Sequence, residues 1–239
     1  MENCFFSDPC FQLLGKGFII VQQLYRIYMK VTAINGSPNA AGNTAYALNQ
    51  AGLSLREEGI DFEMIHVGNK PVHGCTGCCR CFEKRDGRCV FADDIVNEVL
   101  PVLKASDGII LGSPVYYSGI AGAMKSFLDR TFFVSGANGN YFRHKVGASV
   151  AAVRRSGGTM TFNSLNMYLS ISEMLIASSN YWNVIHGNEP AEAAEDIEGV
   201  QVMHVLGKNI AWMLKMKEAT RELVAEPEAT GKIFTNFIR

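Results

Sequence analysis

From Lys30 onward the chain alternates short β-branched or apolar runs with longer segments of helical period, and this alternation limits the fold more than any other feature. Strand signals fall at Lys30–Asn35 (KVTAIN), Ile60–Val67 (IDFEMIHV), Asp107–Gly112 (DGIILG), Val146–Val153 (VGASVAAV) and Tyr181–His186 (YWNVIH). Apolar side chains recur at helical spacing over Asn43–Glu58, from Asp93 or Asp94 to Leu103, and over Gly119–Phe133, Thr161–Ala177 and Gly199–Lys217. Gly59 stands as a helix stop, and Pro101 should kink or shorten the helix that holds it. Strands that are apolar along their length belong to a parallel sheet covered on both faces. Five such strands with right-handed crossovers predict a three-layer αβα sandwich, with the strand order 2-1-3-4-5 favoured.

Charge and composition narrow the function classes. Lys+Arg 22 against Asp+Glu 23 leaves a net charge of −1, so the basic footprint of a nucleic-acid binder is missing. Hydrophobic residues make up 48% of the 239 residues, enough for one buried core and too many for a disordered chain. No uninterrupted apolar run approaches the ~18 residues of a membrane span. The N-terminus carries Glu2 and no basic stretch, and its longest apolar run is Phe18–Val21, which argues against a secretory signal. Residues 1–28 precede the alternation. They read either as an added helix using Phe18, Val21, Leu24, Tyr25 and Tyr28, or as sequence upstream of a working start at Met29, and no role is assigned to them. The domain is expected over residues 29–225, followed by a tail over 226–239. The acidic stretch Glu189–Asp196 reads as a solvated loop.

Three turns carry ligand-binding chemistry. Asn35-Gly36-Ser37-Pro38-Asn39-Ala40-Ala41-Gly42-Asn43-Thr44 joins the first strand to the first helix. Backbone N–H groups at such a helix start attract an anion, and Ser37, Asn39, Asn43 and Thr44 add side-chain donors suited to a terminal phosphate. It is neither a Walker loop nor a dinucleotide glycine motif. Gly112-Ser113-Pro114-Val115-Tyr116-Tyr117-Ser118-Gly119 follows the third strand, with a stiff proline turn and flat aromatic surface for a planar ring. Arg154-Arg155-Ser156-Gly157-Gly158-Thr159 follows the fourth, with glycines that permit close backbone approach and arginines that can offset negative charge. In the favoured order the first two turns flank the crevice where the strand order reverses.

Five of the seven cysteines lie within Cys75–Cys89, in a loop over residues 68–92 that is long for a plain connection. Cys75-x2-Cys78-x2-Cys81-x7-Cys89 places thiolates so that they can wrap one 4Fe-4S cluster. Zinc fits less well without a second C-x2-C pair. Cys79 is surplus and leaves the ligand set open, as does a reading in which the loop is only thiol-rich. Following the second strand, the loop is expected at the same sheet edge as the three turns. His73 beside it could tune a metal or serve as an ordinary loop residue. Asp129-Arg130 reads as a structural ion pair or interface contact, and Lys125 as a solvated or subunit-facing residue. The clustering and odd count point to a reducing, cytoplasmic compartment.

NGSPN followed by GNT, GSPVYYSGIAGAMKSFLDR, and the RR-GG turn resemble the flavodoxin-like NAD(P)H-dependent FMN reductase family. The cysteine loop is similar to that of its iron–sulfur flavoprotein branch. The resemblance runs from about Lys30 to Lys217. It implies FMN with its phosphate at Ser37, Asn39, Asn43 and Thr44. The isoalloxazine would lie against Pro114, Val115, Tyr116 and Tyr117, with Gly157 and Gly158 near its rim. It implies electron transfer from NAD(P)H to a small acceptor such as a flavin or quinone, and assembly as a homodimer or homotetramer. An electron carrier without NAD(P)H turnover and a redox-sensing flavin-binding protein are the alternatives. No acid/base pair is needed, because a flavin carries the hydride chemistry.

Overall fold

The computed structural model describes residues 28–235 and 237, so the readings made for residues 1–27 lie outside the described residues. A parallel sheet is built from β1 (Lys30–Asn35), β2 (Asp61–His66), β3 (Gly108–Tyr116) and β5 (Val146–Val153), in the order β2-β1-β3-β5. Two short strands, β6 (Leu175–Ile176) and β7 (Val184–His186), complete it, each parallel to β5. β4 (Gly119–Ile120) folds back antiparallel on the end of β3. The helices are α1 (Asn43–Glu57), α2 (Arg80–Lys84), α3 (Val96–Ala105), α4 (Gly122–Ala137), α5 (Gly158–Ile171) and α6 (Ile197–Thr220). This is the flavodoxin-like αβα sandwich, with its fifth strand position shared by β6 and β7.

The apolar strands bury both faces, and period two assigns each side chain to a layer. Val31, Ala33 and Ile110 pack with Leu48, Leu55, Met203, Leu206 and Ile210 of α1 and α6. Ile34, Ile109 and Leu111 face Leu100, Leu103, Phe127, Leu128, Leu165 and Leu169 of α3, α4 and α5. Each such fully buried side chain contributes about 1.5–3 kcal/mol. No described helix is long and apolar enough to cross a membrane.

Several elements differ from the sequence reading. The helix expected through Ala177 stops at Ile171. Glu173 turns the chain in the left-handed region (φ 54°), and the amides of Leu175 and Ala177 then bond Lys145 O and Gly147 O along β5. Apolar spacing cannot separate a helix end from a short strand. β3 runs past Gly112 to Tyr116. Pro114 is tolerated within it because β1 pairs only as far as Gly112, so the proline faces an open edge on that side. α2 forms inside the cysteine loop where no helix was expected, and α3 starts at Val96 rather than at Asp93 or Asp94, with Pro101 inside it. The acidic stretch is more than a solvated loop. Asp196 caps α6 by accepting from the Gly199 amide at 2.9 Å and also accepts from the His186 amide at 2.7 Å.

Candidate functional site

The turn after β1 is held by its own residues and by its neighbours. Asn35 Oδ1 accepts the Ser37 amide at 3.0 Å, and Ser37 Oγ accepts the Asn39 amide at 3.2 Å. His66 Nε2 donates to the Ser37 carbonyl at 2.7 Å, which makes the ring a local hydrogen-bonding group. Gly68 closes in from the far end of β2. A Cβ there would lie 2.1 Å from the Ser37 carbonyl oxygen, so only glycine permits this approach. α1 then starts at Asn43 with no side-chain cap and no acid in its first turn. Its positive end is therefore left for an anion.

A cleft of about 170 Å³ opens over that helix start. Ser37, Asn39, Asn43 and Thr44 line it from the first turn, Pro114 and Val115 from β3, Ala152 from β5 and Arg154 from the turn after it. Three of the expected segments thus meet at the carboxyl edge. Gly187, Asn188 and Pro190, in the segment after the last strand, form a fourth wall that the sequence reading missed. Asn43 has a task beyond the one expected. Its side-chain N–H donates to Glu189 O at 3.0 Å and its Oδ1 accepts from the Ala193 amide at 3.1 Å, pinning this wall to α1. The second N–H of that amide remains for a ligand.

The aromatic residues and the glycine turn lie around this cleft without enclosing it. Tyr116 is exposed, and Tyr117, at a positive φ of 58°, is 100% exposed at the hairpin tip. Neither lines the cleft. Gly157 and Gly158 border a neighbouring cleft of about 430 Å³ with Arg155, Tyr181, Trp182 and His186. Gly157 joins the two regions. Its φ is +90°, and a Cβ there would stand 2.9 Å from Val115 Cγ1. The two arginines therefore separate, Arg154 facing the first cleft and Arg155 the second.

The cysteine loop starts at this edge and leaves it. Gly68 touches the first turn, Gly74 passes Ser126, and Cys75, Cys78, Cys79, Cys81 and Cys89 then line one small cleft against Arg130, Phe133 and Val134 of α4. From Gly122 to Arg130 the helix rises about 12 Å. The thiols therefore lie beside the helix layer rather than at the sheet edge itself, as the loop's position after β2 had suggested. Cys75, Cys78 and Cys79 are exposed and Cys81 is buried. A hydrogen bond from the Arg80 amide holds the Cys78 thiol pKa below its usual value, and burial pushes that of Cys81 up. Among the described residues no three His, Cys, Asp or Glu side chains stand close enough to hold a single metal ion. A cubane needs a wider spacing, because its four thiolates bind four separate irons. The chemistry of five soft sulfur donors around one small cleft, with Thr76 and Arg130 as its polar members, is of the kind that holds such a cluster. His73 stays outside the cleft, stacked on Phe91 at 5.3 Å between centroids.

Arg130, read from sequence as part of a structural ion pair or interface contact at a helix end, is mid-helix and 1% exposed. It pairs with the Asp94 carboxylate and donates to Phe91 O at 2.9 Å and His73 O at 3.3 Å; its Nε donates to Cys89 Sγ at 3.2 Å. Burial pushes the Asp94 pKa up, but hydrogen bonds from Arg130 and the Val96 amide outweigh it and leave it below the ordinary value. A lone arginine inside the apolar stretch FLDRTFF was the available signal, since a buried cation requires partners. Its neighbour Asp129 faces the other way, to Lys125 Nζ at 2.6 Å and Tyr168 OH at 2.5 Å. Burial, with Asp129 second, pushes the Tyr168 pKa up to about 12.

A flavodoxin-like sheet with an anion-shaped cleft at its switch point, plus a separate thiol-lined cleft, defines a class of redox flavoprotein folds. The profile of the family described as NADPH-dependent FMN reductase matches residues 29–189, more than half of the chain. An iron-sulfur flavoprotein of Methanocaldococcus jannaschii is 35% identical over 195 residues, covering 79% of this chain and 98% of that protein. Among solved structures, RosB with a bound 8-demethyl-8-formylriboflavin-5'-phosphate superposes with TM-score 0.62 at 14% identity, covering 88% of this chain and 94% of that one. An archaeal flavodoxin superposes with TM-score 0.52 at 19% identity, covering 78% and 99%. The chain belongs to the NADPH-dependent FMN reductase family, in its iron–sulfur flavoprotein branch. By family it is a flavin-dependent oxidoreductase.

Proposed function

We propose that the chain binds FMN at the carboxyl edge of the sheet and moves electrons from NAD(P)H to a small acceptor such as a flavin or quinone. The observation that carries this is the convergence of the turns after β1, β3 and β5 on one polar cleft over an uncapped helix start. Ser37, Asn39, Thr44 and the first amides of α1 would hold the phosphate. Arg154 would neutralise part of its charge. Pro114 and Val115 would carry one edge of the ring system, with Gly157 and Gly158 at its rim. The exposed faces of Tyr116 and Tyr117 leave the ring side open to a nicotinamide or to a second copy of the chain. When bound, FMN supplies the hydride and single-electron chemistry, and the protein positions it. We read Cys75, Cys78, Cys81 and Cys89 as the ligands of a 4Fe-4S cluster, with Cys79 as the spare thiol. A homodimer or homotetramer in the cytoplasm completes this reading. Met160, Met167 and Ile171 form an exposed stripe on α5 that supports assembly.

One anaerobic absorption spectrum tests both cofactors, with FMN added to stripped protein as the control. The expected result is flavin and iron–sulfur absorption and FMN binding at micromolar concentration or tighter; protein that rejects added FMN overturns the reading. Three exposed cysteines beside the half-exposed rings of Phe82 and Phe133 favour a second reading, a carrier that trades electrons with a redox protein. Stopped-flow mixing separates the two. Flavin bleaching by NADH or NADPH supports the reductase, and a flavin inert to both supports the carrier.

A further inference from the structure

We propose that Arg130 is the positioning residue of the cysteine site. It fixes Cys89 as a ligand and biases whatever the thiolates hold toward its reduced, more negative form. The inference rests on the cluster reading given above.

One guanidinium ties together the two ends of the cysteine loop. Nη1 donates to His73 O, just before Cys75, and to the Asp94 carboxylate; Nη2 donates to Phe91 O; Nε donates to Cys89 Sγ. The guanidinium carbon also sits 5.3 Å from the centre of the Phe91 ring. A second buried side chain fixes the same stretch. Asn97 Oδ1 accepts the Cys89 amide at 2.8 Å, and its amide group donates to Cys89 O at 2.9 Å and Phe91 O at 3.0 Å. The Cys89 backbone is thus held by Asn97 and its sulfur by Arg130, whereas Cys75 and Cys78 are exposed.

The residue type matters. Only a planar fork aims donors at a sulfur, two carbonyls and a carboxylate at once; a lysine offers one point charge. A donor that points at a ligating sulfur stabilises negative charge there, and hydrogen bonds to sulfur are among the levers that set iron–sulfur potentials. The order in space is sulfur, guanidinium, carboxylate. Asp94 therefore opposes Arg130 from behind, and removing one or the other should move the site in opposite directions.

The test uses the full-length holoprotein, purified anaerobically as wild type, Arg130→Gln, Arg130→Lys and Asp94→Asn. Iron, acid-labile sulfide and flavin are counted, and cluster and flavin midpoints are measured by potentiometric EPR and absorbance. The expected result is a negative shift of the cluster midpoint in Arg130→Gln, a smaller negative shift in Arg130→Lys and a positive shift in Asp94→Asn, with the flavin midpoint unmoved. Shifts of the same sign in both Arg130→Gln and Asp94→Asn, or none beyond replicate scatter, overturn the proposal and leave Arg130 a scaffold residue. Should Arg130→Gln lose its cluster, the sign in Asp94→Asn alone decides. Wild type without iron and sulfide removes the cluster reading itself, and this proposal with it; wild type with a cluster but insensitive variants removes only the proposal.

Discussion

The two clefts are built by different means. The edge cleft is made mostly of backbone: strand ends, an uncapped helix start and close glycine contacts, with polar groups that solvent also reaches. The cysteine cleft is made of side chains, and its loop is held by one buried ion pair, with Arg130 fully buried and the Asp94 side chain 2% exposed. A site of the first kind spreads its strain over many ladder bonds. A site of the second kind stakes its geometry on a few buried side chains, Arg130, Asp94 and Asn97. Perturbation should therefore be graded at the edge and abrupt at the cysteines.

The largest effect follows from breaking the buried pair. Arg130→Met leaves the buried Asp94 carboxylate without its cation and with only the Val96 and His73 amides bonding it, which costs about 3–5 kcal/mol. Urea unfolding should register that loss, and limited proteolysis should cut first within residues 73–94. Adding Asp94→Asn should recover part of it, because the orphaned charge is gone. A single-site cost below ~1 kcal/mol would erase the contrast between the clefts, since exposed ion pairs already fall in that range.

Gly68→Ala tests the edge by the same logic. Its new methyl meets the Ser37 carbonyl, which the Val67 and Gly68 amides anchor nearby by bonding Asn35 O. The turn must shift, at about 1–3 kcal/mol by analogy with overpacking. Weaker flavin retention should accompany a modest drop in urea midpoint.

Much of this edge was legible in sequence because it is local. Asn-Gly-Ser-Pro, Ser-Pro-Val-Tyr-Tyr and Arg-Arg-Ser-Gly-Gly each follow an apolar run, so the topology alone brings the turns together. What escaped was long-range. Asn43 looks like a free donor until the fold brings Glu189 and Ala193 beside it. Arg130 reads as half of an ion pair with its neighbour Asp129 or as an interface contact, and its partners Asp94, Phe91 and His73 come into view only when the loop 73–94 wraps over it. The split of the fifth strand into Leu175–Ile176 and Val184–His186 was hidden for a similar reason. Pairing partners on β5 decide it, and local periodicity is silent about them.

Arg154→Gln is the next smaller test. Arg154 is exposed and lines the edge cleft without an ion-pair partner among the described residues. Stability should stay within about 0.5 kcal/mol. FMN affinity should fall by roughly tenfold, which corresponds to about 1.4 kcal/mol. Fluorescence titration of stripped protein measures this, and the loss should shrink as salt is raised. An affinity unchanged at low salt would take Arg154 out of the phosphate site.

The smallest effect separates two carboxylates that are both held below their ordinary pKa for different reasons. Asp94 is buried against a cation. Asp196 is part-exposed, and despite partial burial its pKa is lowered by backbone amides of Gly199 and His186, with the His186 ring behind them. A carboxylate whose folded pKa is depressed stabilises the fold above its unfolded value of about 3.9 and loses that contribution as the pH falls through the lower folded value. Asn is as good a helix cap as Asp but does not titrate in this range. Asp196→Asn should therefore sit within about 1 kcal/mol of wild type near neutrality and close that gap on acidification, as wild-type Asp196 itself protonates. Asp94→Asn should close its gap too, because wild-type Asp94 also leaves the buried guanidinium unpaired once it protonates, but from a wider start near neutrality. Urea midpoints measured from neutral to acid pH should thus converge for both variants, from a larger separation for the clamp variant. A gap near neutrality no wider for Asp94→Asn than for Asp196→Asn would mean that the cysteine loop does not depend on its buried pair.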